Sequence, residues 1–221
     1  MASSHPARAA ARTRLRGATA MAACALVLAG CFTGARPSFD DDQPLLAPTG
    51  DPAIDAVLDR LDDVDIAEFT AEYSILTRLG GLESAATVVQ ADNSRRSVTI
   101  NNIRFVNGTG TAATCNLTTH ECEAVINDAR VSDVQIGHDF YGTSFARRLR
   151  VDAERRLGAA RGYETTQAGQ PAVCADVPVS GGTKTYCAVE SGALARYDGN
   201  DLLIELAAFS PTPDETKFDT T

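Results

Sequence analysis

The 221-residue chain lacks an apolar run long enough to cross a bilayer. Its longest, from Ala18 to Ala29, falls well short of the roughly twenty residues a helix needs to span the hydrocarbon core, which argues against a permanent transmembrane helix. An excess of positive charge is also missing. The first thirty residues hold Arg8, Arg12, Arg14 and Arg16 and no acid; taking those four from 20 basic residues leaves 16 basic against 29 acidic over 31–221, a formal charge of −13. That balance argues against a nucleic-acid partner and against adhesion to anionic lipid by general attraction. No Gly-x-Ser-x-Gly elbow, His-Glu-x-x-His pair or Gly-rich phosphate loop occurs. His120 falls at a hairpin tip and His138 at a helix approach, where histidines serve as surface or capping groups more often than as bases. No catalytic residue, cofactor or metal is therefore expected, and the chain reads as a non-enzyme.

What the sequence does carry is an address. Arginines, then the apolar run, then small residues ending in Leu28-Ala29-Gly30-Cys31 follow the order of a signal peptide. The segment resembles bacterial lipoprotein signals, and Leu28 to Cys31 resembles their lipobox. The resemblance implies a thioether-linked diacylglycerol on Cys31, cleavage just before it and acylation of the new amine. Two or three acyl chains, each contributing about 0.8 kcal/mol per buried CH2, would hold the protein on a bilayer. The chain accordingly divides into a signal at 1–30, a Pro- and Asp-rich tether at 31–50, one domain at 51–210 and a loose acidic tail at 211–221. The expected location is the cell membrane, lipid-anchored and facing outside the cytoplasm.

Of six cysteines, Cys24 leaves with the signal and Cys31 takes the lipid. An even remainder in an exported chain implies two disulfides. Cys115 with Cys122, and Cys174 with Cys187, are favoured among the three pairings because each pair brackets a turn between strand-like runs. The spacings C-x6-C and C-x12-C are not those of a zinc finger or ribbon. Counting across a turn centred near Gly181 leaves Cys174 one diagonal step from Cys187, so direct pairing there calls for a bulge or a wider turn.

Asp51-Pro52 opens a helix with a cap and a first-position proline. Ile54, Val57, Leu58 and Leu61 share one face of it, and Asp55, Asp59, Asp62 and Asp63 point to water. From Phe69 the period becomes two, through Ala71, Tyr73 and Ile75, in a strand closed by Gly80-Gly81. Further strands are expected at 85–91, 97–106 and 111–117, with Asn107-Gly108 as a hairpin turn. Residues 123–161 predict a short helix and a longer one at 144–157. Phe140, Phe145, Leu149 and Leu157 fall on one apolar helical stripe. Arg147, Arg148, Arg150, Arg155 and Arg156 border that stripe with their stems along its apolar edge; a clamp for phosphate or anionic headgroups is the alternative. Strands return at 163–167, 172–179, 183–190, 193–197 and 202–209. A sheet face bearing Phe69, Tyr73, Ile75, Tyr186, Ile204 and Leu206 needs a cover. Two short helices, with Leu149 facing the sheet, are expected to leave an apolar space of roughly 300 Å3 or more, the scale of a ligand pocket.

Strands, a helical insertion and more strands behind a lipobox and tether resemble envelope lipoproteins of the LolA, LolB and RseB type and the mycobacterial LprG and LppX type. The local likeness runs from Ala168-Gly-Gln-Pro-Ala-Val173 to Gly192-Ala-Leu-Ala-Arg-Tyr-Asp-Gly-Asn-Asp-Leu-Leu-Ile-Glu-Leu206. By pattern the resemblance covers about 67–210; the cysteine pairs depart from it. It implies an α+β fold: a curved antiparallel sheet, an incomplete barrel, with helices across its concave face. In those families the space between sheet and helices takes acyl chains or serves protein recognition. Richness in Ala and Arg points to a high-GC, actinobacterial-like source. Two functions follow, a carrier of a lipid or glycolipid ligand first and a docking or sensor module for an envelope protein second. A large cavity favours the carrier, and a filled domain with an exposed apolar patch favours the docking module.

Overall fold

The computed structural model describes residues 47–64, 67–92, 95–108, 110–130, 136–155 and 157–220, all within one compact unit. The expected signal, Cys31 and the expected tether up to residue 46 lie outside the described residues. Helix α1 (Pro52–Asp62) leads into six strands: β1 (Phe69–Thr77), β2 (Leu82–Gln90), β3 (Arg96–Ile100), β4 (Ile103–Gly108), β5 (Thr111–Asn116) and β6 (Glu121–Glu123). Helix α2 (Thr143–Glu154) follows. Five more strands complete the order: β7 (Arg161–Gln167), β8 (Gln170–Val179), β9 (Gly182–Val189), β10 (Leu194–Asp198) and β11 (Leu202–Ser210).

All eleven strands form a single antiparallel sheet in the order β6-β5-β4-β3-β2-β1-β11-β10-β9-β8-β7. Two meanders thus lie side by side, and among the described residues the first strand pairs with the last at the seam between them. The sheet is an open one, with β6 and β7 at its edges, as the fold class read from the sequence requires. It is also strongly coiled. In a flat sheet four strand spacings would separate β7 from β11 by about 19 Å, yet Gln167 Nε2 on β7 donates to the Leu206 carbonyl at 3.0 Å.

Local chemistry accounts for the elements. Asp51 caps α1, its side chain accepting from the Ala53 and Ile54 amides, while its other oxygen accepts from the Ala160 amide at 2.9 Å and ties the helix to the approach of β7. Ile54, Val57, Leu58 and Leu61 are the buried face of α1, as their spacing predicts. The expected strand at 97–106 is two strands instead. Asn101, with φ at 52°, and Asn102 turn the chain between the paired Ile100 and Ile103, because asparagine tolerates the left-handed region that a β-branched residue does not. Helix α2 ends at Glu154, and Leu157, expected on its buried stripe, is 54% exposed.

Both cysteine pairs are disulfides, Cys115 to Cys122 and Cys174 to Cys187. The register corrects one expectation. The turn of the second hairpin is Ser180-Gly181, with Val179 opposite Gly182, which puts Cys174 directly opposite Cys187 with no bulge between.

Register also sorts the two faces. On one, the rows Phe105-Val98-Val88-Ala71-Phe209 and Ile75-Ile204-Tyr197-Tyr186-Ala175 run across the strands. Helices α1 and α2 pack on the β7–β9 half of this face, joined to each other by an ion pair of Arg150 with Asp62. The opposite face carries the row Thr70-Val89-Ser97-Val106-Ala113. The segment after Pro211, expected to be loose, crosses this row: Ser97 Oγ donates to the Lys217 carbonyl and Arg104 donates to that of Asp219.

Three carboxylates near the helix layer and the β10 end are more acidic than usual. Burial pushes Asp201 up, but the Arg148 guanidinium outweighs it; burial likewise opposes Arg196 and Arg78 at Asp198, and the Thr49 and Gly50 donors at Asp55. Groups whose carboxyls are depressed in the fold stabilise it above their unfolded pKa, near 3.8, and lose that contribution as pH falls through the depressed values. Thermal midpoints followed by circular dichroism should therefore be level from pH 7 to about 5 and decline below about 4. Asp201→Asn should cost about 1 kcal/mol at neutral pH, since its side chain is half exposed, and should make the acid decline shallower. An unchanged acid profile in that variant would refute the assignment.

Candidate functional site

The seven residues expected to line a ligand space, Phe69, Tyr73, Ile75, Leu149, Tyr186, Ile204 and Leu206, are each at most 3% exposed and belong to one continuous core. The space expected between them is occupied by their neighbours. Two chains of aromatic rings fill it. Phe209 stacks on Phe69 at 5.7 Å, Phe69 meets Tyr141, Tyr141 meets Phe140, and Phe140 meets Tyr73 at 5.0 Å. In the other half Phe145 and Tyr186 each pack on Tyr197, at 4.8 and 5.0 Å. Such centroid separations are those of favourable aromatic pairs. The sequence offered these rings by position but not their partners: Phe140 and Phe145 lie on the expected helical stripe, whose period does not say which sheet residues they meet, and Tyr141 lies off it.

Tyr73, Gln90 and Asp152 bring polar groups into this core, and the Tyr141 hydroxyl donates to Gln90 at 3.3 Å. Tyr73 keeps a hydroxyl with no hydrogen-bond partner among the described residues, and its ionisation is pushed up by burial and by nearby Tyr141. Asp152, 3% exposed, is fully engaged: Lys184 Nζ lies 2.7 Å from it and the Tyr186 hydroxyl donates to it at 2.6 Å. Sequence reasoning passed over Asp152, although its place three residues after Leu149 on the buried stripe was a signal. A buried, paired carboxylate holding a lysine and a tyrosine fixes the docking of α2 on β9.

A cleft of about 280 Å3 remains on the helix-bearing face, beside the helices rather than beneath them. Its floor is Val98 and Phe105, and Val64 and Tyr141 wall it. Arg96, Asn107, His138 and Asp139 make its rim polar. The His138 ring lies 5.2 Å from that of Phe105, and its Nε2 is 3.4 Å from Asp128. Gly142 closes one side; a Cβ there would stand 2.5 Å from Val64 Cγ1. The volume falls just under the lower bound usual for ligand pockets, and the mixed lining suits a small group with a polar edge better than an acyl chain.

The arginines of α2 are engaged within the domain. Arg148 pairs with Asp201 and lies over the Tyr197 ring at 4.7 Å; Arg150 pairs with Asp62; Arg155 is 3.7 Å from Asp152. Arg147 is exposed, and Arg156 is outside the described residues. These partners leave no convergent clamp for a phosphate among Arg148, Arg150 and Arg155.

Among solved structures that resemble this chain are three of MucB. In the crystal structure of MucB in complex with MucA(peri) the match has a TM-score of 0.45 at 12% identity, over 74% of this chain and 58% of that one. In the MucA/MucB complex of Pseudomonas aeruginosa the values are 0.47, 14%, 76% and 60%. For MucB alone they are 0.47, 12%, 77% and 63%. The chain thus spans about three-fifths of the length of the MucB chains it matches. No family model matches it, and no curated protein does.

Proposed function

We propose that this chain is a non-enzymatic, lipid-anchored docking domain of the cell envelope, recognising a protein partner rather than carrying a lipid in its interior. The carrier reading requires open space where Phe69, Tyr73, Tyr186, Ile204 and Leu206 meet the helices. What supports docking is that these side chains close on one another and on Phe140, Tyr141 and Phe145. The lipobox ending at Cys31 supports the anchor.

Native mass spectrometry of protein purified from its own membrane, alongside a Cys31→Ser variant, tests this. The expected mass is that of the processed polypeptide plus covalent acyl groups, with none of those groups on the variant and no further lipid on either. A lipid or glycolipid retained in stoichiometric amount by the variant would overturn docking and restore the carrier.

A further inference from the structure

The face of β2–β5 opposite the helices is covered by the segment from Thr212 to Thr220. Thr70 Oγ1 donates to the Thr212 carbonyl at 2.9 Å and accepts from the Asp214 amide at 2.8 Å. Across the sheet, both Arg95 terminal nitrogens reach the Glu215 carboxylate at 3.0 Å, and the same guanidinium lies 4.8 Å from the centre of the Phe218 ring. Arg95 Nε is held by Asp92 at 3.2 Å, so the fork is aimed before the segment arrives. Arg104, directly opposite Cys115 of the Cys115–Cys122 disulfide in the register, then donates to the Asp219 carbonyl at 2.9 Å.

The surface and its cover are unequal. Beneath the segment Val89 and Ser97 are at most 1% exposed, yet no residue of the segment is itself buried. Its main ion pair, Arg95 with Glu215, has side chains 40% and 59% exposed, so water and salt screen it. Contacts of this kind open easily compared with a core. Beyond Phe218 a groove of about 580 Å3 continues along Val106, Ala113 and Cys122, more room than the segment uses. Two arginines stand here on a strongly acidic chain.

We propose that this face is the docking site for an extended acidic peptide bearing an aromatic side chain, and that Thr212–Thr220 is a built-in occupant which the partner's peptide replaces. The proposal deepens the docking reading by naming its surface and partner chemistry. A tethered segment competes at an effective concentration of roughly millimolar. Disabling it in place should therefore unmask the site without altering the surface.

The test uses the full chain and a fluorescein-labelled peptide of sequence Thr212–Thr220, read by anisotropy at low salt. A Glu215→Arg/Phe218→Ala variant of the chain should bind the peptide at least tenfold more tightly than the parent. Adding Arg95→Glu should remove that gain, and a peptide carrying Glu215→Arg should recover it. A Phe218→Ala peptide should bind at least fivefold more weakly. Equal binding by parent and tail variant, or indifference to Arg95→Glu, would overturn the proposal, as would equal binding of the Phe218→Ala peptide, which marks plain anion attraction. Should the tail variant fail to fold, hydrogen exchange of the parent's own 212–220 amides in excess free peptide decides: acceleration is expected, and no change overturns the site. Failure here with a lipid-free protein removes this surface; retained lipid removes the docking reading itself.

Discussion

Leu149→Arg should unfold the domain at ordinary temperature rather than merely alter what it binds. Leu149 is wholly buried at the centre of the α2 stripe, between Phe145 and Asp152. Truncating such a leucine costs about 2–5 kcal/mol, and forcing an unpaired guanidinium into its place adds the burial of a charge. A loss of about 4–6 kcal/mol is comparable with the whole stability of many domains. Leu149→Met, close in volume, should cost less than about 1.5 kcal/mol. Urea denaturation followed by circular dichroism distinguishes these outcomes. A Leu149→Arg protein with a near-parental midpoint would mean that the side chain faces open space, and the carrier reading would return.

Gly192→Ala should come next in severity, by about 3–5 kcal/mol, through backbone rather than side chain. Gly192 turns the chain between β9 and β10 at φ of 83°, and a Cβ there would lie 2.5 Å from the Arg60 carbonyl oxygen and 2.7 Å from Val64 Cα. Those atoms are main chain at and just beyond the end of α1, so relief requires the helix to lift off β8 and β9. The comparison that isolates this contact is Gly81→Ala. Gly81 has a φ of 64° but nothing within 4 Å of its Cβ direction, so only conformational strain, about 1–2 kcal/mol, remains. Equal effects of the two substitutions, measured by thermal unfolding, would show that the approach of α1 to the turn is not tight.

Much of this architecture was legible because it is periodic or punctuated. The buried face of α1 and the alternation of β1 needed only spacing, and the two hairpins were marked by their cysteines. What was hidden depended on long-range partners. Asn101-Asn102 read as the middle of one strand, since Ser97 to Val106 alternates acceptably on either side of it. The aromatic side chains looked like pocket lining because the helical stripe carrying Phe140 and Phe145 says which side faces the sheet but not how far those rings reach into it, and Tyr141 lies off the stripe. The cleft at Val98, Phe105 and His138 was equally invisible, being assembled from β3, β4 and a segment without a repeat. The acidic composition after Pro211 suggested solvent, but more than a hundred residues earlier Arg95 supplies the countercharge to Glu215 and Arg104 a donor to the Asp219 carbonyl.

The seam between the two meanders also sets an order of events as the chain is made. The peptide emerges with β1 first, and β1 through β6 can zip by short hairpins within moments. One margin of β1 then stays unpaired, from Thr70 to Thr77, until residues 202–210 arrive. Closing so long a loop is slow compared with hairpin formation, and an unsatisfied strand margin invites pairing with another nascent chain. Delayed arrival of residues 202–210 is thus the condition under which this chain should aggregate.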